Sequence, residues 1–274
     1  MTRVLVTGGS GGLGYELVPR LVAAGYTTRI MSRCASKLDA QSSPLLEWVQ
    51  ADMAAGAGLD NAVHDVDVIV NAATSSVKNE RAVDVDGTRR LLELSSRANV
   101  SHFLHVSITG IDQIPTFPYY KLKLEAEEVL KQGNMPYSIL RASMFHSLID
   151  LFLQMFARVP LVLLMPSDFQ VQPMDTGEAA DAIVRQIAAA PAGMLPDITG
   201  PQVLNAGEAA KLWQQARRMR RPIIRLPLPF DWAKGFRQGR QVSQNKVGKI
   251  TWADWLQRTY GAPNHAQLTQ KVTP

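Results

Sequence analysis

The chain opens with an apolar segment that runs directly into a glycine-rich turn. Residues 4–6 read Val-Leu-Val, and the eight that follow are Thr7, Gly8, Gly9, Ser10, Gly11, Gly12, Leu13 and Gly14. A strand, a glycine turn and a helix in this order are what a dinucleotide site requires. Gly8 would allow the tight turn, Gly11 the approach of a pyrophosphate, and Gly14 the close packing of helix on sheet. The helix would direct its unpaired N–H groups at the phosphates.

Taken alone, this motif fits an ordinary glycine-rich turn equally well, so the pattern of the following residues has to decide. Apolar runs of strand length alternate with helical patterns up to residue 145. Strands are predicted at 4–7, 27–32, 47–51, 66–71, 102–107 and 137–141, and helices at 15–24, 84–98 and 120–131. This alternation predicts an α/β fold with a doubly wound, mostly parallel sheet of the Rossmann type.

The rhythm loosens after residue 145, which predicts two parts. Residues 1–145 form the cofactor-binding core, and residues 146–274 form a smaller C-terminal substrate lobe packed on that core as one compact unit. The last predicted helix, at 252–260, begins at a capping box of Thr251 and Asp254. The apolar stretch 148–165 is broken by polar residues, so we expect it to be buried or to line a pocket and not to span a membrane.

Composition and charge narrow the class of protein. The chain has one cysteine, Cys34, and its five histidines lack metal-ligand spacing, so neither a disulfide nor a metal site is expected. With no leader before the first strand, we expect a cytoplasmic protein. The net charge of +5 conceals a basic segment, since residues 211–258 hold twelve Lys or Arg and two Asp. Its densest part, 217–225, fits a nucleic-acid patch or a solvated helix end, and we favour the helix end because no nucleic-acid motif accompanies it.

The end of the second predicted strand indicates which dinucleotide is bound. An NAD site usually has Asp or Glu here for the ribose hydroxyls, whereas arginine suits a 2′-phosphate. This chain has Ser32 and Arg33, with Lys37 nearby and no carboxylate before Asp39. The sequence therefore predicts NADP(H) as the cofactor. The alternative is a surface arginine beside an adenosine that only the backbone recognises.

Two further segments are candidate cofactor contacts. Asp52 would accept a hydrogen bond from the adenine amino group while Met53 packs on the ring, or Asp52 would only cap a helix. Small residues that leave the fourth strand would let the cofactor run along the backbone, or would only allow close packing. These residues are Asn71, Ala72, Ala73 and Thr74.

A Tyr-x-x-x-Lys pair, Tyr119 and Lys123, is the candidate catalytic centre. Four residues are about one helical turn, so both side chains project from one face. A phenol titrates near pH 10, and a neighbouring ammonium would lower that pKa. Tyr119 would then exchange a proton with a carbonyl oxygen, and Ser107, at the end of the fifth strand, would orient that oxygen. The alternative for the pair is a chance surface arrangement.

Together these pieces resemble the short-chain dehydrogenase/reductase superfamily, in its atypical NmrA-like branch. The resemblance rests on residues 7–14, 71–74, 86–88, 119–127 and 137–141 in the expected order. It implies an NADP(H)-binding fold, with Lys123 on the nicotinamide ribose and the nicotinamide facing a cleft beneath the C-terminal lobe. Two positions depart from the pattern: Asp84 stands where many relatives have Asn, which weakens the case for a proton relay like theirs, and Ala142 stands where extended members have Pro.

Residues around the catalytic pair and after the sixth strand are candidates for the substrate pocket. Phe117, Met144 and Phe145 would line an apolar cavity, although Met144 and Phe145 fit a plain core slightly better. His146 follows them and is more often a structural histidine than a catalyst.

These observations predict an oxidoreductase. It would transfer hydride between NADP(H) and a small carbonyl, enone or quinone-like substrate. One alternative is a non-catalytic NADP(H)-sensing regulatory protein of the NmrA type, and a more distant one is a sugar-nucleotide epimerase or dehydratase. The expected partner is a small-molecule substrate, and no membrane contact is expected. We expect the protein to be a monomer or a homodimer.

Overall fold

A computed structural model describes residues 1–33, 43–75 and 79–261. Cys34 and Lys37 lie outside the described residues. The chain divides into two compact units, one made of residues 1–142 and 176–198, the other of residues 143–175 and those from 199 onward. Each unit has its own sheet and core.

Strands and helices alternate along the chain. In chain order the strands are β1 (Arg3–Thr7), β2 (Thr27–Ser32), β3 (Leu46–Gln50), β4 (Val68–Asn71), β5 (His102–Ile108), β6 (Tyr137–Ala142), β7 (Leu163–Met165), β8 (Gln170–Val171), β9 (Gly193–Met194), β10 (Leu204–Asn205) and β11 (Ile223–Arg225). The α-helices are α1 (Gly12–Ala23), α2 (Leu59–Val63), α3 (Thr88–Arg97), α4 (Pro118–Lys131), α5 (His146–Phe156), α6 (Thr176–Ile187), α7 (Ala206–Ala216), α8 (Asp231–Arg237) and α9 (Trp252–Tyr260). A π-helical segment, Ala82–Gly87, precedes α3, and a 3₁₀ turn, Ile111–Gln113, precedes α4.

The first unit is built on a parallel sheet in the order β3-β2-β1-β4-β5-β6-β9. Helices flank this sheet, so the predicted doubly wound α/β fold is confirmed. The direction of winding reverses between β1 and β4, whose last residues, Thr7 and Asn71, are paired in the ladder. Ligands of such sheets bind at the carboxyl ends of the strands beside this reversal.

Apolar side chains explain why these strands form the centre of the unit. Leu5, Ile69 and Phe103, from three neighbouring strands, are fully buried in one core. Burial of each such side chain contributes about 1.5–3 kcal/mol. A parallel sheet covered on both faces needs continuous apolar strands, which is the pattern visible in the sequence.

The first unit also takes in α6 and β9, which follow the predicted boundary at residue 145. β9 extends the sheet by pairing with β6, and α6 packs against α1. Arg20 of α1 donates from Nε to Asp181 of α6 over 2.7 Å. These residues therefore complete the sheet and its helical layer.

Among its described residues, the second unit has two short strand pairs, β7 with β11 and β8 with β10, together with the helices α5, α7, α8 and α9. Trp213 and Trp252 are fully buried in its core. Asp150 is satisfied there, because its Oδ1 accepts from Trp213 Nε1 and Tyr260 Oη, each over 2.6 Å. Helix α9 begins at Thr251 with the predicted capping box, in which Thr251 and Asp254 bond each other's backbone N–H groups.

The expectation that residues 148–165 are buried or line a pocket is wrong for part of the stretch. The helix α5 has one buried face, yet Leu148, Leu151, Phe152 and Met155 on its other side are exposed. None of the helices described here is long and apolar enough to cross a bilayer.

Candidate functional site

Thr7 ties together the two strand ends at the reversal point of the sheet. Its Oγ1 accepts from the backbone N–H groups of Ala72 and Ala73, at 3.1 and 3.0 Å, and donates to Asn71 Oδ1 over 2.8 Å. Asn71 Nδ2 in turn donates to Thr88 Oγ1 over 3.0 Å. The side chains of Thr7 and Asn71 therefore hold the backbone at the ends of β1 and β4, and their contact with the cofactor stays a prediction.

His105 closes this buried network from β5. Its Nδ1 lies 3.1 Å from Asn71 Nδ2. Burial, and then the charge of Lys123, hold the pKa of His105 well below its ordinary value. The imidazole is therefore neutral at physiological pH, and it suits the acceptor role toward the amide.

The glycine turn has the shape that a diphosphate needs. Gly8 has a φ of +67°, and a Cβ there would lie 2.9 Å from the Cα of Ala73. A Cβ on Gly14 would lie 2.4 Å from the backbone of Gly9, so only glycine lets α1 pack this closely against the turn. Ser10, Gly11 and Gly12 are exposed between these points, whereas Gly9 and Leu13 are buried.

The start of α1 is open to a ligand. Gly11 is its N-cap and makes no side-chain cap hydrogen bond, and a Cβ built on Gly12 would meet nothing within 4 Å. The first-turn N–H groups thus retain their donors and the positive end of the helix dipole. The residues present fit a dinucleotide phosphate at this position.

Three candidate cofactor contacts follow the ends of β2 and β3. Arg33 is exposed at the end of β2, next to the buried Ser32, and its carbonyl accepts from Gln50 Nε2 over 3.2 Å. Asp52 Oδ1 accepts from the backbone N–H groups of Ala54 and Ala55, which closes a turn and caps no helix, because α2 begins later, after its N-cap Gly58. Its contact with the adenine stays a prediction. Met53 is buried in the apolar core, and its side chain offers little surface to an adenine ring.

Tyr119 and Lys123, both on α4, are joined by two residues of other elements. Lys123 Nζ donates to Asp84 Oδ1 over 3.3 Å, and the same oxygen accepts from Thr74 Oγ1 over 2.8 Å. Tyr119 Oη lies 2.6 Å from Thr74 Oγ1. Because the hydroxyl hydrogen of Thr74 is directed at Asp84, Tyr119 is the donor to Thr74. A hydrogen-bonded chain therefore runs from Tyr119 through Thr74 and Asp84 to Lys123.

These hydrogen bonds connect the solvent-accessible side of the site to its interior. Thr74 is exposed and Tyr119 half-buried, whereas the side chains of Asp84 and Lys123 are 0% and 3% exposed. Lys123 Nζ also donates to the carbonyl of Val106 over 3.3 Å, and Asp84 Oδ2 accepts from the N–H of Ser75 over 3.1 Å. Both buried charges are thus paired and hydrogen-bonded, as burial requires.

The expected lowering of the Tyr119 pKa by Lys123 is wrong for this arrangement. Burial raises the pKa of Tyr119 to about 12, and the negative charge of Asp84 adds to the rise. The ammonium of Lys123 is directed at Asp84, so its charge is largely compensated before it reaches the phenol. Tyr119 is accordingly a protonated acid at neutral pH.

Ser107 lies on β5 as predicted, with its hydroxyl already engaged. It donates to Glu127 Oε1 over 2.5 Å, and the same carboxylate accepts from Arg141 Nε and Nη2. Glu127 is fully buried one helical turn beyond Lys123. Ser107 therefore links the catalytic helix to β6 through this ion pair, and its contact with a substrate oxygen stays a prediction.

The predicted pocket residues fall in both units. Phe117 precedes α4 in the first unit and packs edge-on against Tyr120, with ring centroids 5.1 Å apart. Met144 and Phe145 belong to the second unit and are partly buried, Met144 against its core. Their contact with a substrate stays a prediction.

His146 has the surroundings of a structural histidine. It is fully buried, and its ring lies 5.6 and 5.9 Å from those of Trp252 and Trp255. Burial lowers the pKa of His146 to about 4, so the ring is neutral at physiological pH.

Asp84 is the site residue that sequence reasoning undervalued. The sequence marks it only as a departure that argues against a relay, yet it accepts hydrogen bonds from three residues of the site. The available signal was its position four residues before Thr88, on the helix that faces α4. Over the described ranges, no group of three or more His, Cys, Asp or Glu side chains could hold a metal ion.

The chain matches the family described as NAD(P)H-binding over residues 8–147, just over half of its length. Among curated proteins it is 26% identical over 189 residues to the photosystem II assembly factor Ycf39 of Trieres chinensis. That match covers 67% of this chain and 59% of the relative, so this chain accounts for under two thirds of the length of Ycf39.

Solved structures share the fold at low identity. A short-chain dehydrogenase/reductase superfamily protein of Agrobacterium tumefaciens with bound NAD is 18% identical, with a TM-score of 0.71 over 94% of this chain and 96% of that chain. The NADPH-dependent quinone oxidoreductase QOR2 of Escherichia coli, complexed with NADPH, is 16% identical, with a TM-score of 0.76 over 93% and 99%. The chain thus belongs to the NAD(P)H-binding family, and its fold is that of short-chain dehydrogenase/reductase proteins.

Proposed function

We propose that the chain is an NADP(H)-dependent reductase that acts on a small carbonyl, enone or quinone-like substrate. The observation that carries this proposal is the hydrogen-bonded chain of Tyr119, Thr74, Asp84 and Lys123. When bound, the cofactor supplies hydride to the substrate carbon. The residues of the chain supply the proton that the substrate oxygen then needs.

Tyr119 has the protonation state of an acid for reduction. With its pKa raised to about 12, the phenol carries its proton at neutral pH and can donate it as charge develops on oxygen. Thr74 holds the phenol in place by accepting its hydrogen bond, and solvent would return a proton to the half-buried Tyr119 after each turnover. The same pKa disfavours the phenolate that oxidation of an alcohol would require, which supports the reductive direction.

Lys123 is held for a positioning role. It directs two of its three N–H donors at Asp84 and Val106. A third donor remains for a ribose hydroxyl, as the family position of this lysine implies. The ion pair of Lys123 with Asp84 fixes the direction of that donor, because separating the two groups would leave each charge buried without a counter-charge.

Consumption of NADPH is the direct test of catalysis. The purified chain is mixed with NADPH and a panel of carbonyl, enone and quinone compounds, and the absorbance of the reduced nicotinamide is followed. Multiple turnovers with any member of the panel are expected. Absence of turnover across the panel, while NADPH still protects the protein against unfolding, would contradict the proposal.

Preference for NADPH over NADH rests on Arg33. Its exposed guanidinium at the end of β2 would bind the 2′-phosphate by charge-assisted hydrogen bonds. Hydrogen bonds to charged groups contribute about 1.5–3 kcal/mol, so Arg33→Ala is expected to weaken NADPH binding by roughly 10- to 100-fold. NADH binding, measured by the same calorimetry, should change by less than about threefold.

A matched control isolates the contribution of this one cation. Arg97→Ala removes another exposed arginine, at the end of α3. It should leave both affinities unchanged. Equal losses for NADPH and NADH in the Arg33 variant would show that the side chain does not read the 2′-phosphate.

A second candidate function is that of an NADP(H)-binding regulatory or assembly protein without turnover. The observation that favours it is the likeness to Ycf39, which is named as an assembly factor. The basic segment 217–225 would supply a surface for a macromolecular partner. NADPH binding without turnover, together with a salt-sensitive macromolecular complex, would support this function instead.

A further inference from the structure

The second unit has a group of exposed apolar side chains, which we call the apolar tip. We define the apolar tip as Val159, Leu161, Leu164 and Ile224, all of which are exposed. Leu164 and Ile224 are direct neighbours in the β7–β11 ladder. Contiguous exposed apolar side chains usually mark an interaction surface.

Leu161 carries two costs at once. Its φ is +71°, a left-handed conformation that bulky residues rarely adopt, and its side chain is 81% exposed. Glycine or asparagine would relieve the backbone strain, and any polar residue would remove the exposed apolar surface. Strain of this kind persists mainly at functional positions.

A stripe on α5 extends this surface. Leu148, Leu151, Phe152 and Met155 recur at helical spacing and are exposed, whereas Ile149 and Leu153 on the other side are in the core of the unit. The helix is therefore apolar on a second face that its own unit does not cover.

Cations lie beside the apolar tip. Arg221 Nη1 donates to the carbonyls of Ala157 and Val159, which brings the arginine segment against the end of the stripe. Beside it, Lys211 and Arg220 help to line a shallow recess of about 560 Å³. The segment from 211 to 258, which includes these cations, holds twelve Lys or Arg and two Asp.

We propose that this surface docks on an anionic phospholipid bilayer. The apolar tip would enter the boundary between headgroups and acyl chains, and the cations would meet the lipid phosphates. The charge of these cations favours an anionic bilayer over a second copy of this protein, because a two-fold contact would bring the arginines of both copies together. The expectation of no membrane contact was drawn from the lack of a spanning segment, and it does not bear on surface docking. The proposal does not depend on the proposed activity.

The test is co-sedimentation of the full chain with vesicles of phosphatidylcholine, with or without phosphatidylglycerol. Binding is expected only to the anionic vesicles and should fall as salt is added. Lys211→Gln with Arg220→Gln should weaken it by about fivefold for each charge removed. The control is Arg97→Gln with Arg185→Gln, which removes two exposed cations from the first unit and should leave binding unchanged.

Leu161→Asn separates docking from folding. Asparagine tolerates the left-handed backbone, so this variant should unfold at the same or a higher temperature than the parent chain while vesicle binding falls roughly tenfold. Met194→Asn, at an exposed site in the first unit, should bind as the parent does. Equal binding to neutral vesicles, no vesicle binding, DNA binding in place of vesicle binding, or a dimer lost in Leu161→Asn without vesicle binding would each overturn the proposal.

Discussion

Tyr119→Phe is expected to lower kcat for reduction by about 10²–10⁴-fold, the contribution of a positioned acid. The substitution removes the hydroxyl that donates to Thr74 Oγ1 and keeps the ring in place. The KM for substrate should change much less, because the lost proton transfer acts in the transition state. Steady-state kinetics with the best substrate of the panel would measure both parameters.

Tyr120→Phe is the matched control for this prediction. It removes the same atom from the adjacent residue, which packs against Phe117 and takes no part in the hydrogen-bonded chain described above. Its kcat should stay within about threefold of the parent value. If Tyr119→Phe also kept its turnover, the phenol would have no role in the chemistry, whatever the cofactor affinity.

The pH dependence of the parent enzyme gives a second readout. Since burial raises the pKa of Tyr119 to about 12, the acid form persists across the neutral range. The value of kcat/KM for reduction, which reports ionisations of the free protein, should therefore show no loss between neutral pH and about pH 9. It should decline only as the pH approaches that pKa. A loss centred near neutrality and absent from Tyr119→Phe would show that the phenol titrates far lower.

The first unit was predictable because its local signals agree with its global fold. Residues 27–32 form β2 as predicted, and the other strands up to β6 differ by one or two residues at their ends. Buried parallel strands are continuous apolar runs, and helices between them have one apolar face. The breadth of this agreement explains why the family resemblance of this part of the chain was sufficient for the fold.

The second unit was less predictable for a physical reason. Helix α5 is apolar on both its buried and its exposed faces, so its sequence resembles a continuous buried run. Helix α8 has seven residues and was missed as well. The pairing of β9 with β6 depends on contacts between distant residues, which no local pattern carries.

The juxtaposition of Tyr119 and Lys123 was predictable, but its electrostatics were not. Spacing places Tyr119 and Lys123 on one face of α4, and it says nothing of what lies opposite. Asp84 comes from the π-helical segment, a distortion often found at functional sites. Burial of the phenol, to which the charge of Asp84 adds, reverses the expected direction of the Tyr119 pKa, and only the three-dimensional neighbourhood could show this.

Asp84→Ala is expected to destabilise the first unit by about 3–5 kcal/mol, because it leaves the buried ammonium of Lys123 without its counter-charge. The ammonium would keep only the carbonyl of Val106, which cannot balance a charge. Urea unfolding followed by hydrogen exchange of the backbone amides of β1, β4 and β5 would report this loss for the first unit. A loss below about 1 kcal/mol would mean that water reaches and solvates the ammonium.

A double variant separates the buried charge from the lost side chain. Asp84→Ala with Lys123→Met removes both charges, so its loss of stability should be clearly smaller than the sum of the two single losses. Additive losses would show that the two groups do not interact in the folded chain. Replacement by hydrophobic groups often recovers stability at buried ion pairs, but here it would also remove the donor to the ribose.

Asp84→Asn tests why this chain has a carboxylate where many relatives have an amide. Asp84 Oδ1 accepts from Thr74 and Lys123 while Oδ2 accepts from the N–H of Ser75, so two oxygens are in use. An amide has one oxygen, and its NH₂ group would face a donor on one side or the other. The variant should therefore lose about 1–3 kcal/mol, less than Asp84→Ala, and the Tyr119 pKa should fall because a negative charge has gone. Full stability in Asp84→Asn would mean that hydrogen bonding alone, without the ion pair, holds Lys123 at the site.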